Sequence, residues 1–403
     1  MSNYIFLGFI SIYISLIPSL GETQPIVLFI IGLIFFFDGL INKKNSYYAL
    51  LFAILNFFLL YSVAFVFFAD GDSGTLIKYL VFIFVTIAMC NLKSEYLSFN
   101  NYTIIAFFFI IIALDQKFFG NNLSFVFDVV TPRVNSSLEA GGRGVPIIAP
   151  EQSYMSLILA SLIIMCNSTY IYSENKISKK TFIFTVVLLY ILLILTGSLL
   201  SFLFLIGFLF IQFFKINHLP YLMIFLFVFI LIVSENERVV DLVITITNIK
   251  DFTWKDFLVL MTIVEPSGST RLILASLAVM YSMDNFIFGG LGAIKNNWFL
   301  VAHENGWDFI AYHSVLGLQY KSSMPTEPQT IFYSLISDLG WFMSLIIILF
   351  LIVFIFIKIK FDRLTLMVFY FLSFILFFQS SITSPYIGVC VSLLLTSCRY
   401  ERR

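Results

Sequence analysis

The feature that most restricts this chain is a recurring apolar run. Such runs fall at residues 4–20, 26–41, 49–68, 75–91, 102–114, 152–172, 181–195, 199–214, 220–234, 330–357, 364–378 and 383–398. A helix needs about 20 apolar residues to cross a bilayer core of roughly 30 Å. Of the 403 residues, 60% are hydrophobic and 11% charged, where a soluble domain carries about 25% charged residues. The reading is an all-α polytopic membrane protein with about twelve transmembrane helices, a single integral domain over 1–403. The 50 phenylalanines are read as lipid-facing filler. Zero formal charge gives a nucleic-acid partner no electrostatic support. Cys90, Cys166, Cys390 and Cys398 lie in or beside apolar runs, a pattern of neither a disulfide framework nor a CxxC metal site. No basic leader precedes the first run, which is read as a retained span.

Basic residues set the expected orientation. Lys43, Lys44, Lys93, Lys176, Lys179, Lys180, Lys215, Lys358, Lys360, Arg363, Arg399, Arg402 and Arg403 fall on one side if the runs alternate. Short basic loops face the cytoplasm, so both termini are expected there. Two long loops, 115–150 and 235–329, then lie outside the cytoplasm. Alternation depends on residues 181–214 breaking at Thr196-Gly197-Ser198, because one helix of that length would run ~51 Å.

The first outer loop ends in Arg143-Gly-Val-Pro-Ile-Ile-Ala-Pro-Glu151-Gln-Ser153, directly before an apolar run. Glycines let backbone N–H groups converge on an anion, and an arginine fork matches phosphate oxygens. Pro150 suits a first helical turn, which would put Glu151 and Ser153 at a helix N-terminus, where an anion is favoured. Equally, Arg143 reads as a solvated loop charge and Glu151 as a helix-start carboxylate. The second loop holds two short apolar segments, Phe257–Val264 and Leu272–Tyr281, read as interfacial helices. Ser269 or Thr270 would cap the second, leaving Arg271 in its first turn, where a cation opposes the helix dipole unless an anionic ligand joins it. Asn285–Gly292 with Gly290, followed by Lys295, reads as a turn before a phosphate cradle. His303, His313, Glu304, Asp308 and Glu327 follow; the histidines suit general-base work, and their spacing does not argue for a metal. Asp70-Gly-Asp72 is read as a solvated turn. Asp38 and Asp338, inside apolar runs, stand out as intramembrane charges.

At these residues the chain resembles the bacterial O-antigen polymerases of the Wzy type and, more distantly, the O-antigen ligases. Arg143 followed by Pro150-Glu151-Gln152-Ser153 at a span entrance carries the likeness. So do Ser267–Arg271 with the later glycine-rich turn, and the Arg-x10-Gly spacing from Arg133 to Gly144. The ligases carry a histidine–asparagine pair where this chain reads Thr326-Glu327-Pro328-Gln329, which favours polymerase over ligase. The resemblance implies an enzyme at the outer face of the inner membrane. It would move a growing glycan from undecaprenyl pyrophosphate to a hydroxyl of a lipid-linked repeat unit, using neither a cofactor nor a metal. Membrane lipid and a chain-length regulator protein are its implied partners. In that scheme Arg143 and Arg271 hold the pyrophosphate, with Arg133 accessory. Glu151, His303, His313 and Glu327 compete for the base, and Ser153, Ser269, Gly290 and Lys295 are candidate substrate contacts. A flippase of lipid-linked sugars and a non-enzymatic scaffold are the alternatives outside the family.

Overall fold

The computed structural model describes residues 2–14, 24–42, 47–131, 133–139, 144–173, 177–213, 253–264, 266–356, 362–378 and 383–400. These residues form helices and no strand; Gly71 and Leu291 make one isolated parallel bridge. The first ten helices are α1 Ser2–Ile10, α2 Ile26–Asn42, α3 Tyr47–Asp70, α4 Ser73–Cys90, α5 Phe99–Phe118, α6 Ser124–Val130, α7 Arg133–Glu139, α8 Gln152–Tyr172, α9 Lys179–Thr196 and α10 Leu199–Phe213. After residues 214–252 come α11 Trp254–Val264, α12 Pro266–Asp284, α13 Ala293–Glu304, α14 Leu316–Ser322, α15 Ile331–Phe356, α16 Arg363–Phe377 and α17 Tyr386–Tyr400. Five stretches are long and apolar enough to cross a membrane: Ser73–Cys90, Phe99–Phe118, Gln152–Tyr172, Lys179–Thr196 and Ile331–Leu349. Five shorter apolar helices accompany them. In the first apolar run α1 ends at Ile10 and residues 11–13 turn; residues 15–20 of that run, and the run at 220–234, lie outside the described residues.

The bundle is organised on α8. Of its apolar window 83% is buried, and it packs against α5, α9, α10, α16 and α17. Its direction fixes those of its neighbours. At its start, Ser156 Oγ meets Ser198 Oγ at 2.6 Å; further along, Asn167 Oδ1 accepts from Gln212 Nε2 at 3.2 Å. α10 therefore runs parallel to α8. α9 returns alongside α8, with Tyr170 stacked on Phe182 near the connection. The expected break is real: Gly197 closes α9 in the left-handed region (φ 62°), a conformation glycine adopts without a Cβ clash. Residues 181–214 are two helices that reverse direction.

The two ends of the bundle differ in chemistry. One gathers Lys93, Lys179, Lys180 and Arg363, with Tyr172 donating to Asp362, the N-cap of α16. The other gathers the described parts of both long loops. There the second loop builds a small helical cap over 254–322 with a core of its own, including Leu258, Ile273, Leu277, Trp298, Ile310 and Leu316. Its second helix starts at Pro266, so Ser269 and Thr270 lie inside it and Arg271 falls in the second turn. The sequence placed the caps too late because the small polar residues at 267–270 look like a helix start, yet here they are helical.

A chain break in α15 joins cap and bundle. Gly340 is non-helical (φ 76°, ψ 168°) within the long apolar run. The glycine-rich turn packs into this break: Gly290 N donates to Asp338 O at 2.9 Å, and Phe342 N to Phe286 O at 3.2 Å. A Cβ on Gly340 would lie 2.7 Å from the Ile287 backbone, and one on Gly289 would overlap the Ser337 carbonyl.

Candidate functional site

Glu151 occupies the N-cap position of α8, but its carboxylate makes no cap hydrogen bond. Pro150 stands before the helix, not in its first turn. The carboxylate turns instead to two arginines from different loops. Arg133 Nη2 donates to Oε1 at 2.8 Å and Arg271 Nη2 to Oε2 at 3.2 Å. Arg271 also donates from Nε to Gln329 Oε1 at 3.2 Å and reaches Ser153 Oγ at 3.5 Å. The arginines differ in setting: the Arg271 side chain is 17% exposed and that of Arg133 52%. A planar fork with several donors suits this role better than a lysine ammonium. The positive dipole end of α8 favours an anion at the same place. Arg143 lies outside the described residues.

The loop that delivers Glu151 is buried and irregular. Val145, Ile147, Ala149 and Pro150 are buried. Val145 N donates to Leu195 O at 3.1 Å, and Gly144 sits against the Thr196 backbone so closely that a Cβ would overlap it. Irregular backbone among apolar helices persists only where protein satisfies its polar groups. Here Gln116, near the end of α5, does so: its amide donates to Ile147 O and accepts from Ile147 N, both at 2.9 Å.

More charges line the same end. Lys78, in the second turn of α4, pairs with Glu327. Lys295 Nζ lies 3.5 Å from Asp72 Oδ2. Asp72 is the N-cap of α4, accepting from Thr75 N at 2.9 Å and Thr75 Oγ1 at 2.8 Å. The Thr75 hydroxyl, outweighing partial burial and helped by Lys295, holds the Asp72 carboxyl below its ordinary range. Asp72 therefore belongs to a helix start. Asp338 is buried, with Oδ2 accepting from Tyr79 Oη at 2.9 Å and Oδ1 from Gly292 N at 3.0 Å. The Gly290 N–H is committed to the Asp338 carbonyl, so that turn braces α15.

The histidines part company with the arginine site. His313 is buried; its Nδ1 accepts from Val315 N at 3.0 Å and Leu316 N at 3.1 Å. That places its proton on Nε2, which faces Ser269 Oγ at 2.8 Å and Thr270 Oγ1 at 3.3 Å. With its lone pair spent on the start of α14, His313 has the geometry of a buttress, and Ser269 belongs to the same brace. His303 is exposed and pairs with Asp308 at 3.1 Å. The His303 hydrogen bond is the main reason the Asp308 carboxyl lies below its ordinary range.

Thus Glu151, Arg271, Arg133 and Ser153 come together, with Gln329 joining them unforeseen. Glu327 and Lys295 stand beside them in pairs with Lys78 and Asp72. Lys78 was visible as the one basic residue inside an apolar run away from the basic end; nothing in the sequence marked Gln329 or Gln116. No protein family, curated protein or solved structure matches this chain.

Proposed function

We infer that the protein is a glycan polymerase of the Wzy type. It would transfer a growing chain from undecaprenyl pyrophosphate to a hydroxyl of a lipid-linked repeat. The observation that carries this reading is the convergence of Arg133 and Arg271, from two loops, on one carboxylate at the N-terminus of α8, the most buried of the five long apolar helices. Such a site is made for a divided negative charge. A lipid diphosphate approaching from the bilayer would take the guanidiniums from Glu151, whose two oxygens they otherwise occupy. Released, Glu151 orients the acceptor hydroxyl and accepts its proton. The acceptor oxygen bonds to the anomeric carbon as that carbon's bond to the diphosphate oxygen breaks. The departing diphosphate keeps the electron pair, and the arginines stabilise the charge. Lys78, paired with Glu327 two residues before Gln329, and Lys295, paired with Asp72, would add positive field, and a chain-length regulator protein would be an external partner.

The reading includes about twelve spans in the bacterial inner membrane, a periplasmic site and cytoplasmic termini. Its support is the separation of Lys93, Lys179, Lys180 and Arg363 from the arginine–carboxylate end.

The test is the surface glycan of a host deleted for the gene. Single-repeat glycan on deletion, restored to long chains by the wild type but not by Arg271→Ala at equal protein level, is expected. Loss of all repeats on deletion would point to a flippase or ligase and defeat the reading. Long chains in the Arg271→Ala strain would remove Arg271 from the chemistry.

A further inference from the structure

We propose that Gln116 is a positioning residue for Glu151, holding the carboxylate in place by locking Ile147 in a backbone conformation that isoleucine otherwise avoids. This rests on the polymerase reading for the meaning of Glu151.

Ile147 has φ 57°. A β-branched residue in the left-handed region is an outlier, because its Cβ crowds the neighbouring carbonyl. Strain of this kind persists only where surrounding contacts over-determine it, and it concentrates at working sites. The Ile147 side chain is fully buried, so the position also fills a core. Among the described residues, one side chain grips the Ile147 backbone on both polar groups: Gln116, itself 8% exposed. A primary amide offers a donor and an acceptor side by side, the pair that a single residue's C=O and N–H call for.

The connection to Glu151 is short. Ile147 is four residues upstream, and a turn from Pro146 O to Ala149 N at 3.0 Å stiffens the interval. Met155 N donating to Glu151 O at 3.2 Å then starts α8. Upstream, Val145 is tied to Leu195. The segment is thus fixed at one point to the α9 end and at another to α5, and the second fixes the unfavourable dihedral. If Ile147 relaxed to negative φ, the chain direction after it would turn and the N-cap residue would leave the arginines. Arg271 would stay, because it belongs to the cap and is separately held by Gln329.

This separates positioning from general support. A displaced Glu151 no longer competes for the guanidiniums, so a Gln116 variant should behave as Glu151→Gln does: anion binding tightens while polymerisation falls. Damage to the bundle would weaken both. The experiment measures inorganic pyrophosphate binding to the full-length protein in detergent by calorimetry, and glycan length in the complemented host. The variants are Gln116→Leu, Glu151→Gln and the double variant. Expected are several-fold tighter pyrophosphate binding and shortened glycan for Gln116→Leu, with no further change when Glu151→Gln is added. Gln116→Asn, which keeps the amide but stops one methylene short of the Ile147 backbone, should fall between Gln116→Leu and wild type; it carries the test if Gln116→Leu does not fold. Wild-type binding and glycan in Gln116→Leu, weakened binding, or additive effects in the double variant would each overturn the proposal. If Arg271→Ala leaves pyrophosphate binding intact and Glu151→Gln changes nothing, the polymerase reading itself falls, a different result.

Discussion

Replacing Glu151 with glutamine removes one charge from between two cations and leaves the shape almost unchanged. Its effects should have opposite signs on stability and on anion binding. The Arg133 pair is more than half exposed on the arginine side, so its loss costs under about 1 kcal/mol. The Arg271 pair is mostly shielded. A hydrogen bond to a charged group contributes about 1.5–3 kcal/mol, and the glutamine carbonyl recovers part of it. The net cost to the fold should be about 1–2 kcal/mol, small enough for the protein to accumulate. Binding gains what folding loses, because an incoming diphosphate no longer displaces a carboxylate. If 1.4 kcal/mol of the competition is lifted, pyrophosphate binds about tenfold tighter. Without a proton acceptor at the hydroxyl, turnover should drop about 100-fold to 10,000-fold, leaving glycan of one or a few repeats. Calorimetry with inorganic pyrophosphate and the glycan ladder read the two effects separately. Weaker pyrophosphate binding with normal protein levels would refute the competition, and a full ladder would refute Glu151 as the proton acceptor.

Other expectations follow from the geometry. His313→Asn places an amide oxygen where Nδ1 accepts from Val315 and Leu316, a contact to the backbone two residues on that asparagine makes in Asx turns; long glycan should persist, whereas a base at 313 would make this variant as inactive as the deletion. Asp72→Asn keeps a capping oxygen but removes the charge beside Lys295 and the α4 N-terminus, and should destabilise the protein by about 0.3–1 kcal/mol at neutral pH. Because the folded Asp72 carboxyl is held low, its contribution is present above the unfolded value near 3.9 and fades as pH falls through the folded value. Thermal midpoints of wild type and variant should therefore converge in acid, and a constant gap down to that range would contradict the charge. Gly289→Ala and Gly340→Ala place a Cβ against the Ser337 and Ile287 backbones, and both should lower the yield of folded protein in detergent by size-exclusion chromatography; a normal monodisperse yield from either would show the break to be looser than described.

Helices and their punctuation were open to sequence reasoning, for physical reasons. Apolar runs report burial or lipid whatever their partners, and Gly197 marks a reversal because glycine tolerates positive φ. Gly340 stayed hidden, since a hydropathy pattern continues unchanged through a backbone break. At the site, the carboxylate–arginine chemistry pointed to Glu151 and Arg271, 120 residues apart. Their meeting with Arg133 depends on three helices and a loop that no local pattern encodes. Lys78 and Glu327 are 249 residues apart, and Gln116 reads as an ordinary polar residue near the end of a span. The histidines drew attention in the sequence because reactivity at neutral pH is a property of the isolated imidazole. Only the fold shows that His313 has given its lone pair to two backbone amides.

The break at Gly340 has a consequence for how such a protein can change over time. Asp338 O and Phe342 N are satisfied by Gly290 and Phe286, which belong to the turn between α12 and α13 inside the cap. Cutting away residues 254–322 would strip this suture and leave an amide and a carbonyl in a long apolar helix without these partners, a cost of several kcal/mol for each that stays away from water. The cap is therefore no detachable module. A lineage could redraw its surface to suit a new sugar, but it could not discard or trade the whole piece without first mending the helix beneath.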